Sequence, residues 1–187
     1  MIVPENVLAI THHFAEKAVS PGDIAIDATM GNGHDTLFLS RLVGDTGKVY
    51  AFDIQQQALD STAKLLEKES ASNVSLILSG HENMEQYVEG EVSAVMFNLG
   101  YLPGGDHSLG TVADTTIRAL ESAMKLIKKN GVITIGVYYG GDSGFDEKNR
   151  VMEYIAGIDF KKFTVLTLDY KNRPNCPPIA VIIEKLL

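Results

Sequence analysis

Short segments rich in β-branched and aliphatic residues alternate along the chain with longer segments of helical period, and this alternation restricts the fold more than any other feature. The strand candidates are DIAIDAT (23–29), GKVYAFDI (47–54), NVSLILS (73–79), VSAVMFNLG (92–100), GVITIGVYY (131–139), FKKFTVLTLDY (160–170) and PIAVIIEKL (178–186). Between them, 34–44, 56–70 and 145–158 read as helices, and HENMEQYV (81–88) as a short helix or turn. The stretch 111–131 reads as a strong helix with Gly131 as its stop. VLAITHHFAEKAV (7–19) should form an extra helix before the first strand. Strand–helix–strand repetition predicts an α/β fold: a seven-stranded, mostly parallel sheet with helices on both faces. The link KNRPNCPP fits an antiparallel pair formed by the last two strands at one sheet edge.

Composition fits one domain over 1–187, with 45% hydrophobic and 21% charged residues. No apolar run is long enough to cross a bilayer, and the start shows neither a basic leader nor a small-residue cleavage site. With a single cysteine, Cys176, the expected location is cytoplasmic. The formal charge of -8 argues against a broad, sequence-independent grip on nucleic acid, but not against a small RNA site.

DATMGNGHDT (27–36) follows the first strand and opens a helix, the context of a cofactor loop. Gly31 and Gly33 permit a tight backbone and close approach of a ligand, and the helix start offers free N–H groups. A phosphate loop is excluded because no Lys-Ser or Lys-Thr pair follows the glycines. A dinucleotide fingerprint fits poorly: Thr36 stands where its third glycine belongs, and Asp27 would repel a pyrophosphate. A cofactor with an ammonium group, a sulfonium cation and no phosphate tolerates that acid, and S-adenosylmethionine meets the description. Asp53, twenty residues past Gly33 at the end of the second strand, is placed to accept from both ribose hydroxyls. His81 and Glu82 follow the third strand, where the adenine end would lie. His81 either borders the purine or caps a helix. These features together predict a Rossmann-like class I S-adenosylmethionine-dependent methyltransferase.

VMFNLGYLPGGDH (95–107) ends a buried strand in Asn98 and continues into a loop on the ligand-binding edge of the sheet. Methyl transfer to nitrogen requires a neutral lone pair aimed at the methyl carbon, so orientation is the main demand. Asn98, with the backbone of Leu99 and Gly100, can hold an amine in line, and Tyr101 can stack on a planar base. Asp106 and His107 either accept a proton from an incoming ammonium or only shape the loop. After the fifth strand, one of Tyr138 and Tyr139 should face the core, and Tyr139 is the candidate substrate wall. Arg173 and Asn175 lie on the last link. Arg173 either meets an RNA phosphate or is a solvated hairpin charge. At most one of His12 and His13 should face the core or the site, and no His or Cys spacing resembles a metal set, so no metal is expected.

DATMGNGHDTLFL, AFDIQ, GHENM, FNLGYLPGGDH and NRPNCPPIAVIIEK resemble the small single-domain bacterial family labelled "putative rRNA methylase", whose members are understood as tRNA methyltransferases. The resemblance covers essentially the full length. It implies S-adenosylmethionine-dependent methylation of the aminomethyl nitrogen of 5-aminomethyl-2-thiouridine at the tRNA wobble position, with S-adenosylhomocysteine as second product. By the family pattern Asp27, Thr29, Gly31, Asn32, Gly33, Asp35 and Thr36 hold the methionine end. Asp53, Ile54 and Gln55 bind the ribose side, His81 and Glu82 flank adenine, and Asn98 through His107 bound the reacting amine. Thr29 and His81 depart from the wider superfamily, where a glycine and an acid are usual. In NLGY, leucine and glycine replace the prolines of the Asn-Pro-Pro-Tyr loop of amino-methylating enzymes. The expected partner is the tRNA anticodon arm, met by a modest basic rim of Lys148, Arg150, Lys171 and Arg173. A homodimer stays open, as do methylation of rRNA or a small metabolite and cofactor binding without catalysis.

Overall fold

The computed structural model describes residues 3–100, 110–139 and 144–187. Its order is α1 (Val7–Ala18), β1 (Ile24–Asp27), α2 (His34–Val43), β2 (Lys48–Asp53), α3 (Gln56–Lys68), β3 (Val74–Leu78), a 3₁₀ turn at His81–Gln86, β4 (Val92–Leu99), α4 (Ala113–Leu126), β5 (Ile127–Val137), α5 (Gly144–Ala156), β6 (Phe163–Leu168) and β7 (Ile179–Lys185). The sheet runs β3-β2-β1-β4-β5-β7-β6. Strands β1 to β5 pair in parallel, and β7 lies between β5 and β6, antiparallel to both. The seven-stranded, mostly parallel sheet read from the sequence is thus present.

Side-chain alternation explains why both faces are covered. Ile26, Phe52, Val95, Phe97, Ile133, Ile135, Val181 and Ile183 share one core with Ala119, Leu120 and Ala123 of α4 and Val151 and Ile155 of α5. Their neighbours in sequence, Ala25, Ala94, Met96 and Val132, point the other way, onto Ala15 of α1 and Leu39 and Val43 of α2, where Val49 joins them. Val7 and Ile10 carry α1 onward to Ala180 and Ile182 of β7. The N-terminal helix is therefore packed on the sheet itself. Asn6 starts it, its side chain accepting from the Ala9 amide at 2.8 Å.

One expectation is corrected. α4 ends at Leu126, and Ile127–Asn130 belong to β5. The apolar positions Leu120, Ala123 and Ile127 continue at helical spacing, so the pattern overruns the true end. On β4, Val92 and Ala94 pair with Ile127 and Val132, so β5 accommodates extra residues in a bulge. Asn130 takes a positive φ of 62° there. Gly131 is not a helix stop but the close-packed end of that bulge. A Cβ on it would lie 2.8 Å from Ile127 Cγ1 and 2.9 Å from the Lys128 carbonyl.

The winding reverses between β1 and β4. In an open α/β sheet, the crevice at such a reversal, outside the carboxyl ends of the strands, is where ligands bind. Asp27, Asp53 and Asn98 all stand at that edge.

Candidate active site

The loop from β1 to α2 is stitched to its neighbours by polar contacts. Asp27 is fully buried, and its carboxylate accepts from the Thr36 hydroxyl at 2.6 Å and the Thr29 amide at 3.1 Å. Burial, with the nearby Asp35 carboxylate and then Asp53, pushes its pKa up to about 7. Gly31 and Gly33 both take positive φ, at 53° and 82°. They serve different ends. The Gly31 amide donates to Asp53 Oδ2 at 3.0 Å, and its carbonyl accepts from Thr62 at 3.1 Å. A Cβ on Gly33 would sit 2.7 Å from Thr62 Cγ2, so Gly33 lets α2 start against α3. Asn32 Oδ1 accepts from Ser61 at 3.2 Å. α2 begins with no side-chain cap, leaving its first amides to other acceptors.

A cleft of about 330 Å³ opens over this loop, with Asp53, Ile54, Gln55, His81, Glu82, Thr29 and Asn98 in its walls. Asp53 accepts one backbone amide on each oxygen, from Gly31 and, at 2.9 Å, from Gln55. Each oxygen keeps a free lone pair. Ile54 is 59% exposed beside it, an apolar surface at the mouth. His81 is buried, pairs through Nδ1 with the Ala28 carbonyl at 3.1 Å, and meets Phe97 edge to face. A carbonyl only accepts, so Nδ1 carries the proton and Nε2 is an acceptor. Burial lowers the His81 pKa and favours that neutral form. Glu82 lies 3.9 Å from Arg118.

A second cleft, of about 710 Å³, shares Thr29, Gly31, Asn98, Gly100, Gly110 and Thr111 with the first. Asn98 therefore stands at the junction. Its backbone amide donates to the Thr29 hydroxyl at 2.7 Å, which ties β4 to the cofactor loop. Its side-chain Nδ2 donates to Asp35 Oδ2 at 2.5 Å, and Asp35 Oδ1 is 2.7 Å from His12 Nε2. The far wall holds Tyr138, Tyr139, Glu147, Asn175, Cys176 and Pro178. Lys148 stands 4.2 Å over the Tyr139 ring, and Phe145 meets that ring at its edge. Glu147 accepts from the Thr111 and Thr116 hydroxyls, each at 2.7 Å, and burial raises its pKa. Thr111 in turn pairs with both backbone groups of Gly100, at 2.9 Å each.

The structure thus gathers Thr29, Gly31, Asn32, Asp35, Asp53, Ile54, Gln55, His81, Glu82, Asn98, Tyr139 and Asn175 around the two clefts. Asp27, Gly33 and Thr36 lie behind the loop and brace it. Arg173 stacks 3.9 Å over Tyr170 and donates to the Glu5 carbonyl, outside both clefts. Of the expected basic rim, Lys148 stands over the Tyr139 ring, whereas Arg150 pairs with Asp114 and Lys171 with Asp169. Tyr101, Asp106 and His107 fall outside the described residues. Sequence reasoning passed over Tyr138, Thr111 and Glu147, and it left His12 and His13 undivided. His12 follows Leu8 by one helical turn, and Leu8 lines the second cleft, which is the signal that separates the two histidines.

The first cleft fits S-adenosylmethionine on its own chemistry. A carboxylate with free acceptor capacity suits a ribose diol. The acid groups Asp53 in its wall and Asp35 and Asp27 nearby favour a cationic group over a phosphate, and the charges of Asp35 and Asp53 help raise the pKa of Asp27. Fold and site together define a Rossmann-like class I S-adenosylmethionine-dependent methyltransferase. The family model described as "Putative rRNA methylase" matches residues 49–184, and the chain belongs to that family. It is similar to a protein from Clostridium thermocellum solved as a "putative rRNA-methylase", at 49% identity over 99% of this chain and 100% of that one, with a TM-score of 0.97. It is also similar to a Streptococcus mutans "putative methyltransferase" solved in complex with SAH, at 41% identity over 98% of this chain and 100% of that one, TM-score 0.91. A curated relative, the chloroplastic tRNA (mnm(5)s(2)U34)-methyltransferase of Arabidopsis thaliana, is 36% identical over 94% of this chain and 68% of its own length. Among the described residues, no helix is long and apolar enough to cross a membrane.

Proposed function

We propose that this methyltransferase acts on the aminomethyl nitrogen of 5-aminomethyl-2-thiouridine at the wobble position of tRNA, giving the 5-methylaminomethyl base. The observation that carries the reading is the placement of Asn98 in the walls of both a cofactor-shaped cleft and a larger cleft walled by two tyrosines, with its amide nitrogen held on Asp35. The similarity to the Arabidopsis thaliana tRNA methyltransferase supports the choice of substrate.

Bound in the first cleft, S-adenosylmethionine supplies an electrophilic methyl group on a sulfonium. Asp53 accepts from the ribose hydroxyls, Ile54 borders the adenine, and the Asp27–Thr36 loop surrounds the methionine end. Asn98 Oδ1 accepts one N–H of the neutral substrate amine, which leaves the nitrogen lone pair directed at the methyl carbon. With that group held there, attack of the neutral amine would form the N–C bond as the C–S bond breaks, sulfur would keep the bonding pair, and the resulting ammonium would release its extra proton to water. Tyr138 and Tyr139 offer aromatic surface to a flipped-out base, and Lys148 beside them offers a cation to an anticodon-arm phosphate. With a net charge of -8, such local contacts rather than a general field must hold the RNA.

The deciding experiment is nucleoside mass spectrometry after incubation of the protein and S-adenosylmethionine with tRNA carrying the unmethylated aminomethyl base. One added methyl on the wobble uridine is the expected result. An unchanged wobble nucleoside, with methylation of rRNA instead, would overturn the substrate assignment.

A further inference from the structure

The reaction as derived needs an amide oxygen in the cleft, yet nothing in an asparagine by itself decides which end of the amide faces substrate. The surroundings of Asn98 decide it. Asp35 is buried beside it and, as a carboxylate, only accepts, so the Asn98 NH₂ must turn toward it. The oxygen then lies on the other side of the amide, over Gly136 and next to the edge of Tyr138, which walls the second cleft. A flipped amide would present N–H donors to the substrate. It would hydrogen-bond the amine lone pair that has to attack and so block the reaction.

Asp35 is itself held. His12 Nε2 stands 2.7 Å from its other carboxylate oxygen, and a carboxylate partner requires Nε2 to carry the proton. The imidazole lies flat on Phe38, with ring centroids 3.7 Å apart and planes 7° from parallel. Phe38 is on α2, one turn after Asp35, so α1 and α2 clamp the same carboxylate from two sides.

We propose that His12 and Asp35 are positioning residues for methyl transfer: His12 fixes the Asp35 carboxylate, and Asp35 fixes the Asn98 amide with its oxygen toward the nucleophile. The proposal rests on the amine-methylating function above. It also gives the N-terminal helix a role in the reaction, because α1 delivers the last member of the chain.

The test compares wild type with His12→Phe, which keeps a ring on Phe38 but loses the donor, and His12→Gln, which keeps a donor. Asp35→Asn, nearly isosteric and able to donate as well as accept, is the third variant. Single-turnover methylation of hypomodified tRNA, the KM for that tRNA and calorimetric SAH affinity are measured for both His12 variants. In parallel, the side-chain amide resonances of Asn98 are followed by NMR in the SAH complex of all four proteins. His12→Phe should slow the methyl-transfer step by about 10- to 100-fold, the scale of a small misplacement of a reacting group, with KM and SAH affinity unchanged. His12→Gln should recover most of the rate. The Asn98 NH₂ pair should be sharp and protected from exchange in wild type, broadened in His12→Phe and averaged in Asp35→Asn. A wild-type rate in His12→Phe, a loss shared equally by His12→Gln, or Asn98 resonances identical in all four proteins would overturn the proposal. If wild type itself leaves this tRNA unmethylated, the substrate assignment fails, and the NMR comparison alone then decides whether His12 and Asp35 orient the amide.

Discussion

Gly136 is the residue opposite Asn98 in the β4–β5 register, and replacing it with alanine probes the site without removing any functional group. The added Cβ would lie 2.9 Å from Asn98 Oδ1, 3.2 Å from Tyr138 Cε2 and 3.7 Å from Val7 Cγ2. The Tyr138 ring can yield. The Asn98 oxygen cannot, because its amide nitrogen is anchored on Asp35 at 2.5 Å and its backbone on Thr29. Relief therefore requires the amide to rotate or β4 and β5 to part. Overpacking of this kind costs about 1–3 kcal/mol of stability. In a chain of this size that corresponds to a fall in Tm of about 2–12 °C. The effect on chemistry should be larger, with single-turnover methylation at saturating S-adenosylmethionine slowed by about 10- to 100-fold, since the shift falls on the group that aims the nucleophile. Gly136 lines neither cleft, so SAH affinity by calorimetry should hold. A folded Gly136→Ala protein that turns over at the wild-type rate would refute the role given to the Asn98 oxygen.

Two further outcomes follow from the same geometry. Asp53→Ala removes the acceptor of the Gly31 and Gln55 amides as well as the proposed ribose contact, and should weaken SAH binding by about 1.5–3 kcal/mol, or roughly 10- to 150-fold; unaltered calorimetric affinity would remove Asp53 from the cofactor site. Asp27 has a folded pKa near 7 against an ordinary value of 3.8, so the folded chain binds more protons than the unfolded one between those limits. Its contribution to stability is greatest below that window and falls as pH rises through it, by at most about 1.4 kcal/mol per pH unit. His81, whose pKa burial lowers, works in the opposite direction near its own range, so the comparison must be made against Asp27→Asn. The variant's stability relative to wild type, from urea unfolding without cofactor, should rise between pH 4.5 and pH 7.5 on the scale of that linkage. A difference that is constant with pH would show Asp27 to be ionised throughout.

The sheet was legible because its strands alternate between two buried faces. Ile26 against Ala25, and Phe97 against Met96, have opposite partners in the structure just as they have opposite parity in sequence. Asp53 and Asn98 were legible for a related reason: a polar residue that closes an apolar strand falls at the ligand-binding edge of a parallel sheet. The end of α4 was not, since Ile127 keeps helical spacing while the bulge at Lys128–Gly131 begins the next strand. The need for Gly33 depends on Thr62, and the pairing of His12 with Asp35 spans 23 positions. Periodicity assigns a residue to a face but does not name its partner across the fold. Tyr138 was set aside for the core because neighbouring strand residues point apart, yet it sits just past the end of β5, and both tyrosines reach the second cleft.

The most direct test of the central claim is a crystal structure of this protein with SAH bound. The account predicts ribose hydroxyls on Asp53, the adenine beside Ile54 and the sulfur at the junction of the two clefts, next to an Asn98 amide whose nitrogen faces Asp35. SAH lodged among Tyr138, Tyr139 and Asn175, or an Asn98 side chain turned away from the sulfur, would contradict it.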